Sequence, residues 1–158
     1  MKFARSLAQR KARQRERAFI VEGVRLFEDA IEAGFQPQRL FFDADRIDVA
    51  LVQRVLTRAT GETVVHEVTP AVIDAITDTE TPQGIAAIFH FPEVPVAQGS
   101  EASLLIVADG IKDPGNLGTL MRTTAAAGAH ALFVSPSTVD PYAPKVVRAA
   151  MGAHFRLP

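Results

Sequence analysis

Short apolar runs alternate with helix-like segments along almost the whole chain, and that alternation restricts the fold more than any other feature. "AFIV" at 18–21 reads as a strand. "VEGVRLFEDAIEAG" follows as a helix, with Val24, Phe27 and Ile31 on one face and Gly34 as its stop signal. "RLFFD" is the next strand, "VALVQRVLTRATG" a helix ended by Gly61, and "TVVHEV" a further strand. "TPAVIDAITD" is a short helix with Thr69 as N-cap and Pro70 at its first position, and "GIAAIFHF" closes the series. This order predicts an α/β fold built on a mostly parallel sheet. By their spacing Phe19 and Phe27 are core residues.

The order is interrupted once. "PEVPVAQGSEAS" at 92–103 collects prolines, a glycine and small polar residues, so two domains are expected, 1–92 and 103–158, joined by a linker at 93–102. After it come strand "LLIVAD", helix "NLGTLMRTTAAAGA", strand "HALFVS", loop "PSTVDPYAP" and helix "KVVRAAMGA". Two or three strands are a thin parallel sheet to cover on both faces, so the second domain reads as short.

Composition narrows the function classes. Hydrophobic residues at 47% and charged residues at 22% describe a globular chain. Cysteine is absent, which excludes a disulfide framework, a thiolate metal site and a cysteine nucleophile. That fits a reducing cytoplasm, the expected location. No apolar run reaches the roughly 18 residues of a membrane span, and the first residues lack the apolar core of a signal peptide. His66, His90 and His154 do not have the spacing of a metal site, and no metal is expected.

The net charge of -1 conceals an asymmetry. Lys2, Arg5, Arg10, Lys11, Arg13, Arg15 and Arg17 are opposed only by Glu16 in the first stretch of chain. Such a block suggests phosphate contacts, and its arginines favour RNA because guanidinium grips phosphate with two bonds. A solvated helix face accounts for the charge equally well.

"DGIKDPGNLGTLMR" at 109–122 is the densest motif. It follows a strand, at the carboxyl end of a parallel sheet, where open α/β folds place ligands. Pro114 and Gly115 are expected to turn the chain and Asn116 to cap the helix, while Gly118 leaves the first turn bare for a ligand or another backbone. Arg122, one turn on, shares that face. No GxxxxGK[ST] and no GxGxxG follows the strand, so a phosphate-loop or dinucleotide-binding enzyme is disfavoured. A capped helix with a surface arginine would explain the same residues.

"DGIKDPGNLGTLMRTTAAAGA" resembles the first signature of the SPOUT-class RNA methyltransferases that modify ribose 2′-hydroxyls, through Asn116, Gly118 and Arg122 of its Asn-x-Gly-x-x-x-Arg core. "RAFIVEGVRLFEDAIEAG" and "TDTETPQGIAAIF" resemble the start and end of that family's small substrate-binding domain. The resemblance implies a ribosomal-protein-like RNA-binding domain at 1–92, and at 103–158 the first half of an α/β-knot methyltransferase domain. It implies S-adenosylmethionine as cofactor, ribosomal RNA as first-choice substrate and transfer RNA as second, and a homodimer. Asn116 and Arg122 become candidate catalytic residues, the first holding the loop and target ribose. Arg122 would orient a phosphate or stabilise the forming alkoxide, since a permanently protonated guanidinium makes a poor base. Arg10, Lys11, Arg13, Arg15, Arg17 and Lys112 are the candidate RNA contacts, and Gly115 and Gly118 the points of close approach. The family's later Gly-x-Glu and Ser-Leu-Asn signatures do not follow Arg122, and "HFRLP" stands about where the first half of the catalytic domain would end. The 158-residue chain is therefore expected to be inactive alone. The competing expectation is a non-catalytic RNA-binding protein with a methyltransferase-like half-domain.

Overall fold

The computed structural model describes residues 2–59, 61–96 and 104–158. They form two compact units, Met1–Phe91 and Pro92–Pro158. Of the expected linker, residues 97–102 lie outside the described residues.

The first unit holds a four-stranded sheet of β1 (Ala18–Glu22), β2 (Arg39–Phe42), β3 (Val64–Glu67) and β4 (Ile85–His90), in the order β1-β4-β2-β3. Only β2 and β3 pair in parallel, and β4 is antiparallel to both β1 and β2. The expectation of a mostly parallel sheet is corrected here. β1, β2 and β3 do run one way, with α3 (Val24–Glu32) and α4 (Val49–Arg58) as their crossovers. After α5 (Pro70–Ile76) the chain returns in the opposite direction and inserts β4 between β1 and β2. Alternation reveals that β4 is a strand but not which way it runs. Its continuous apolar run does report its central place, because Ile85, Ala86, Ala87, Ile88 and Phe89 are all buried.

Both faces of this sheet are covered. On one, Ala4 of α1 (Lys2–Ser6) and Leu7 just after it, with Ile73 and Ile76 of α5, pack on Phe41, Ala86 and Ile88. The alternate strand residues Phe19, Leu40 and Phe89 are buried as well, and α3 lies against β1 and β4. At the "TPQG" junction, Gly84 enters β4 at φ +79°, and a Cβ there would lie 2.7 Å from the Cβ of Arg46, so the turn requires glycine.

The basic N-terminal stretch is folded onto this unit. α2 (Arg10–Glu16) follows α1, and Arg13 is buried, donating to the carbonyls of Leu7 at 2.7 Å and Ala8 at 2.8 Å. Arg13 is a correction to the expected RNA contacts. It satisfies carbonyls at the end of α1 that would otherwise be orphaned, and its charge is withdrawn from solvent. Arg10, Lys11, Arg15 and Arg17 are exposed. Arg15 pairs with Glu16 at 2.7 Å, and the Arg17 guanidinium lies 5.9 Å from the Phe91 ring centroid.

The second unit pairs β5 (Leu105–Ala108) and β6 (Ala131–Val134) in parallel, with α6 (Pro114–Ala126) as their crossover and α7 (Pro144–Ala150) beyond. Ala108, Leu117, Met121, Val146, Ala150 and Ala153 form its core, while Leu105, Val107 and Phe133 are exposed on the sheet. His154, in a 3-10 turn at Ala153–Phe155, is buried, with Nε2 2.7 Å from the Pro141 carbonyl. Burial lowers its pKa to about 4 from an ordinary 6.5, against the opposing pull of the Pro141 carbonyl and Asp140. The folded unit thus favours neutral His154, and its contribution is present above pH 6.5 and lost as pH falls toward 4. Urea unfolding should show stability falling by up to roughly 3 kcal/mol over that window. His154→Gln should flatten this pH dependence, and an unchanged slope would exclude His154 as its source.

Candidate functional site

The site is built at the carboxyl end of β5 and along α6. Where β5 ends, the 109–113 and 135–138 loops are tied together. The Ser137 hydroxyl donates to Asp109 at 3.1 Å, and the Ser135 hydroxyl lies 2.9 Å from that of Ser137 and 3.2 Å from that of Thr138. Hydrogen bonds from Ser135 first, then Ser137, hold the Asp109 carboxyl below its ordinary pKa. Lys112 Nζ donates to the Ser137 carbonyl, so this candidate RNA contact is engaged within the loops while its side chain remains exposed.

α6 is capped three residues earlier than expected. Asp113 is the N-cap, its carboxylate accepting the Asn116 N–H at 2.8 Å, and Pro114 takes the first helical position. Asn116 is therefore not the cap. Asp113 caps as well as asparagine does, and a proline directly after it is preorganised for the first turn, so the helix starts at the Asp-Pro pair. The Pro-Gly pair is likewise helical rather than a separate turn. Asn116 contributes its backbone N–H to the cap, which leaves the exposed amide side chain for another task. Gly115 is exposed in the same turn, where a Cβ would lie 3.1 Å from Asp113 Oδ1.

Gly118 faces the other way. It is buried, and a Cβ on it would lie 2.4 Å from the Ala149 Cβ and 2.9 Å from the Ala149 carbonyl carbon and the Ala150 nitrogen. The close approach expected at this glycine is made by the backbone of α7, so it is no bare patch for a ligand. One turn further, Arg122 follows the same face and its Nη1 lies 3.2 Å from Sδ of Met151, the left-handed C-cap of α7. Its side chain is otherwise exposed. Asn116 and Arg122 are separated by roughly 9 Å along the helix and about 120° around it. The motif thus presents two separate polar points on α6 rather than one cluster.

Sequence reasoning missed Asp113, the Asp109–Ser135–Ser137 link and the Ala149–Met151 seat. The Asp-Pro pair and the small residues of "RAAMGA" are the signals that could have found the first and last. The serine link joins two loops distant in the chain and has no local signature.

The second unit contains a cleft of about 250 Å³, lined by Met121, Leu132, Val134, Tyr142, His154 and Leu157 among others. Pockets for ligands of nucleoside size and above run roughly 300–1,000 Å³ with several convergent polar groups. This cleft is smaller and mainly apolar, and its buried imidazole is already bonded to Pro141. It does not fit S-adenosylmethionine by itself.

Comparison with known proteins decides the family. Residues 1–87 match the MRM3-like substrate binding domain, and residues 103–158 match the SpoU rRNA Methylase family. The chain belongs to the MRM3-like substrate binding domain family. Among its relatives, rRNA methyltransferase 3A, mitochondrial, of Danio rerio is 37% identical over 97% of this chain and 36% of its own length. The 23S rRNA (guanosine(2553)-2'-O)-methyltransferase RlmP of Bacillus subtilis is 35% identical over 98% of this chain and 58% of its own length. An rRNA methyltransferase from Sinorhizobium meliloti superposes with a TM-score of 0.83 at 34% identity, over 99% of this chain and 59% of that one. The SpoU methyltransferase AviRb of Streptomyces viridochromogenes, solved with AdoMet, gives a TM-score of 0.85 at 29% identity over 99% of this chain and 60% of that one. The chain therefore spans between 36% and 60% of the length of each of these relatives.

Gly118→Ala should push α6 away from α7, because the clash is with backbone that cannot rotate aside. We expect a loss of about 2 kcal/mol in urea unfolding, within the usual range for overpacking a tight contact. A neutral result would mean that α7 is not seated on α6 as described.

Proposed function

We propose that this protein takes part in S-adenosylmethionine-dependent methylation of a ribose 2′-hydroxyl in ribosomal RNA, with transfer RNA as second-choice substrate. The observation that carries this reading is the family's Asn-x-Gly-x-x-x-Arg motif on α6, with Gly118 locked against α7 and Arg122 seated at the exposed end of that contact. When bound, the cofactor supplies an electrophilic methyl group. The chain's own part is to hold and polarise the acceptor. The exposed Arg122 guanidinium grips a phosphate or stabilises negative charge forming on the ribose oxygen, and its permanent protonation suits that task. Asn116, freed from capping, donates or accepts at the target ribose. The expected homodimer and a cytoplasmic location belong to the same proposal; among the described residues no helix is long and apolar enough to cross a membrane.

A second reading, an RNA-binding protein without methyltransferase activity of its own, is favoured by the small cleft, which does not fit the cofactor. The two are separated by incubating ribosomal RNA and labelled S-adenosylmethionine with the 158-residue chain and with a version extended to its relatives' length. We expect incorporation by the long form only. Comparable incorporation by the short form would contradict our account of the cleft, and none by either would favour the second reading.

In the extended protein, Arg122→Ala should lower turnover by about 100-fold or more, the usual cost of losing one charge-stabilising donor, with cofactor affinity nearly unchanged. Arg122→Lys should recover little, because a point charge lacks the two-pronged fork. Lost cofactor affinity with normal turnover at saturation would refute the role.

RNA affinity should draw on Arg10, Lys11, Arg15 and Arg17. Replacing these four by glutamine should flatten the slope of log affinity against log salt, by about one unit for each phosphate that is no longer neutralised. Arg13→Gln should instead lower stability and leave the slope of the folded protein unchanged. An unchanged slope in the fourfold variant would make the block a solvated face.

A further inference from the structure

The first unit contains a groove of about 400 Å³, lined by Arg39, Phe41, His66, Glu67, Val68, Thr69 and Val72, that nothing above assigns a task. Its floor is aromatic. The His66 imidazole stacks on the Phe41 ring with centroids 5.1 Å apart and planes 16° from parallel. Phe41 is buried and His66 only partly so, which leaves the remaining imidazole surface bordering the groove. The register explains the pair: Phe41 of β2 lies directly opposite His66 of the edge strand β3.

The polar groups round this floor are not used up by the fold. Arg39, two residues before Phe41 on the same face of β2, has its guanidinium 5.4 Å from the Phe3 ring centroid, and its Nε is buried with no partner among the described residues. Thr69 stands at the N-cap of α5, yet its hydroxyl makes no cap hydrogen bond. α1, which brings Phe3 to Arg39, also carries the exposed cations Lys2 and Arg5.

We propose that this groove is a binding site for one unpaired RNA base, stacked on His66 with its polar edge toward Arg39 and Thr69. The volume suits a planar base, and a flat aromatic surface with unspent donors beside it is the chemistry by which unstacked bases are held. A paired base in a duplex has no free face to offer, so the site selects loops, bulges or ends. This inference rests on the reading of the protein as an RNA binder and adds a stacking contact that carries no charge.

The test uses the full chain and two RNAs with equal numbers of phosphates, a hairpin with a loop of unpaired bases and a blunt duplex, with affinities measured by fluorescence anisotropy. The wild type should prefer the hairpin. His66→Ala should weaken hairpin binding by about ten-fold, the typical effect of removing one stacking partner, and leave duplex binding and the salt slope unchanged. His66→Phe should retain the preference. Independently of any variant, the His66 ring protons of the wild type should move upfield on adding the hairpin, as the ring current of a stacked base requires. Equal wild-type affinity for the two RNAs, wild-type hairpin affinity in His66→Ala, equal losses on both RNAs, or unmoved ring protons would each overturn the proposal. Absence of methyl transfer by the extended protein would sink the functional reading while leaving the hairpin preference intact.

Discussion

The second unit depends on one contact, the backbone-to-backbone approach of α6 and α7 at Gly118 and Ala149. Any side chain at Gly118 would occupy space already taken by Ala149 and the nitrogen of Ala150. With that approach made, Leu117 and Met121 close over Val146 and Ala150, and the last turn of α7 presents Met151 to Arg122. The glycine thereby bears on Arg122 at a distance of one helical turn. It sets where the arginine stands without offering any surface to a substrate. The motif's fixed spacing from glycine to arginine is the spacing of one face of a helix.

The first unit is organised around a different constraint. β4 enters between β1 and β2 in reverse and is buried from Ile85 to Phe89, so the sheet is covered on both faces at its centre. The β3 edge is open, with Val64 and Val65 exposed and His66 covering Phe41. Cations lie along α1 and α2, and the stacking surface lies on the sheet. Phosphate contacts would position an RNA, and the groove would read whether a base is free.

Much of this was legible in the sequence, and the failures have physical causes. The strands and helices follow from apolar periodicity and capping residues, and the Asn116, Gly118 and Arg122 spacing pointed to the family. Strand direction did not follow, since a buried strand reads the same from either end. Asn116 was misplaced as the cap because two good capping residues, Asp113 and Asn116, stand three apart, and only the position of Pro114 favours the first. Arg13 looked like its neighbours Arg10, Lys11 and Arg15, and burial at the end of α1 depends on a tertiary contact that composition does not encode. The pairing of Phe41 with His66 is a register fact, invisible until β2 and β3 are aligned.

The central claim is that Gly118 serves the reaction by placing Arg122, and a double-mutant cycle on turnover tests it most directly. In a version extended to its relatives' length, Gly118→Ala, Arg122→Ala and the double variant are compared at saturating RNA and cofactor, at a temperature where all are folded. If Gly118 acts through Arg122, the double variant turns over no more slowly than Arg122→Ala alone, because the arginine that Gly118 positions is already gone. If the two losses multiply, the glycine and the arginine act independently and the account is wrong.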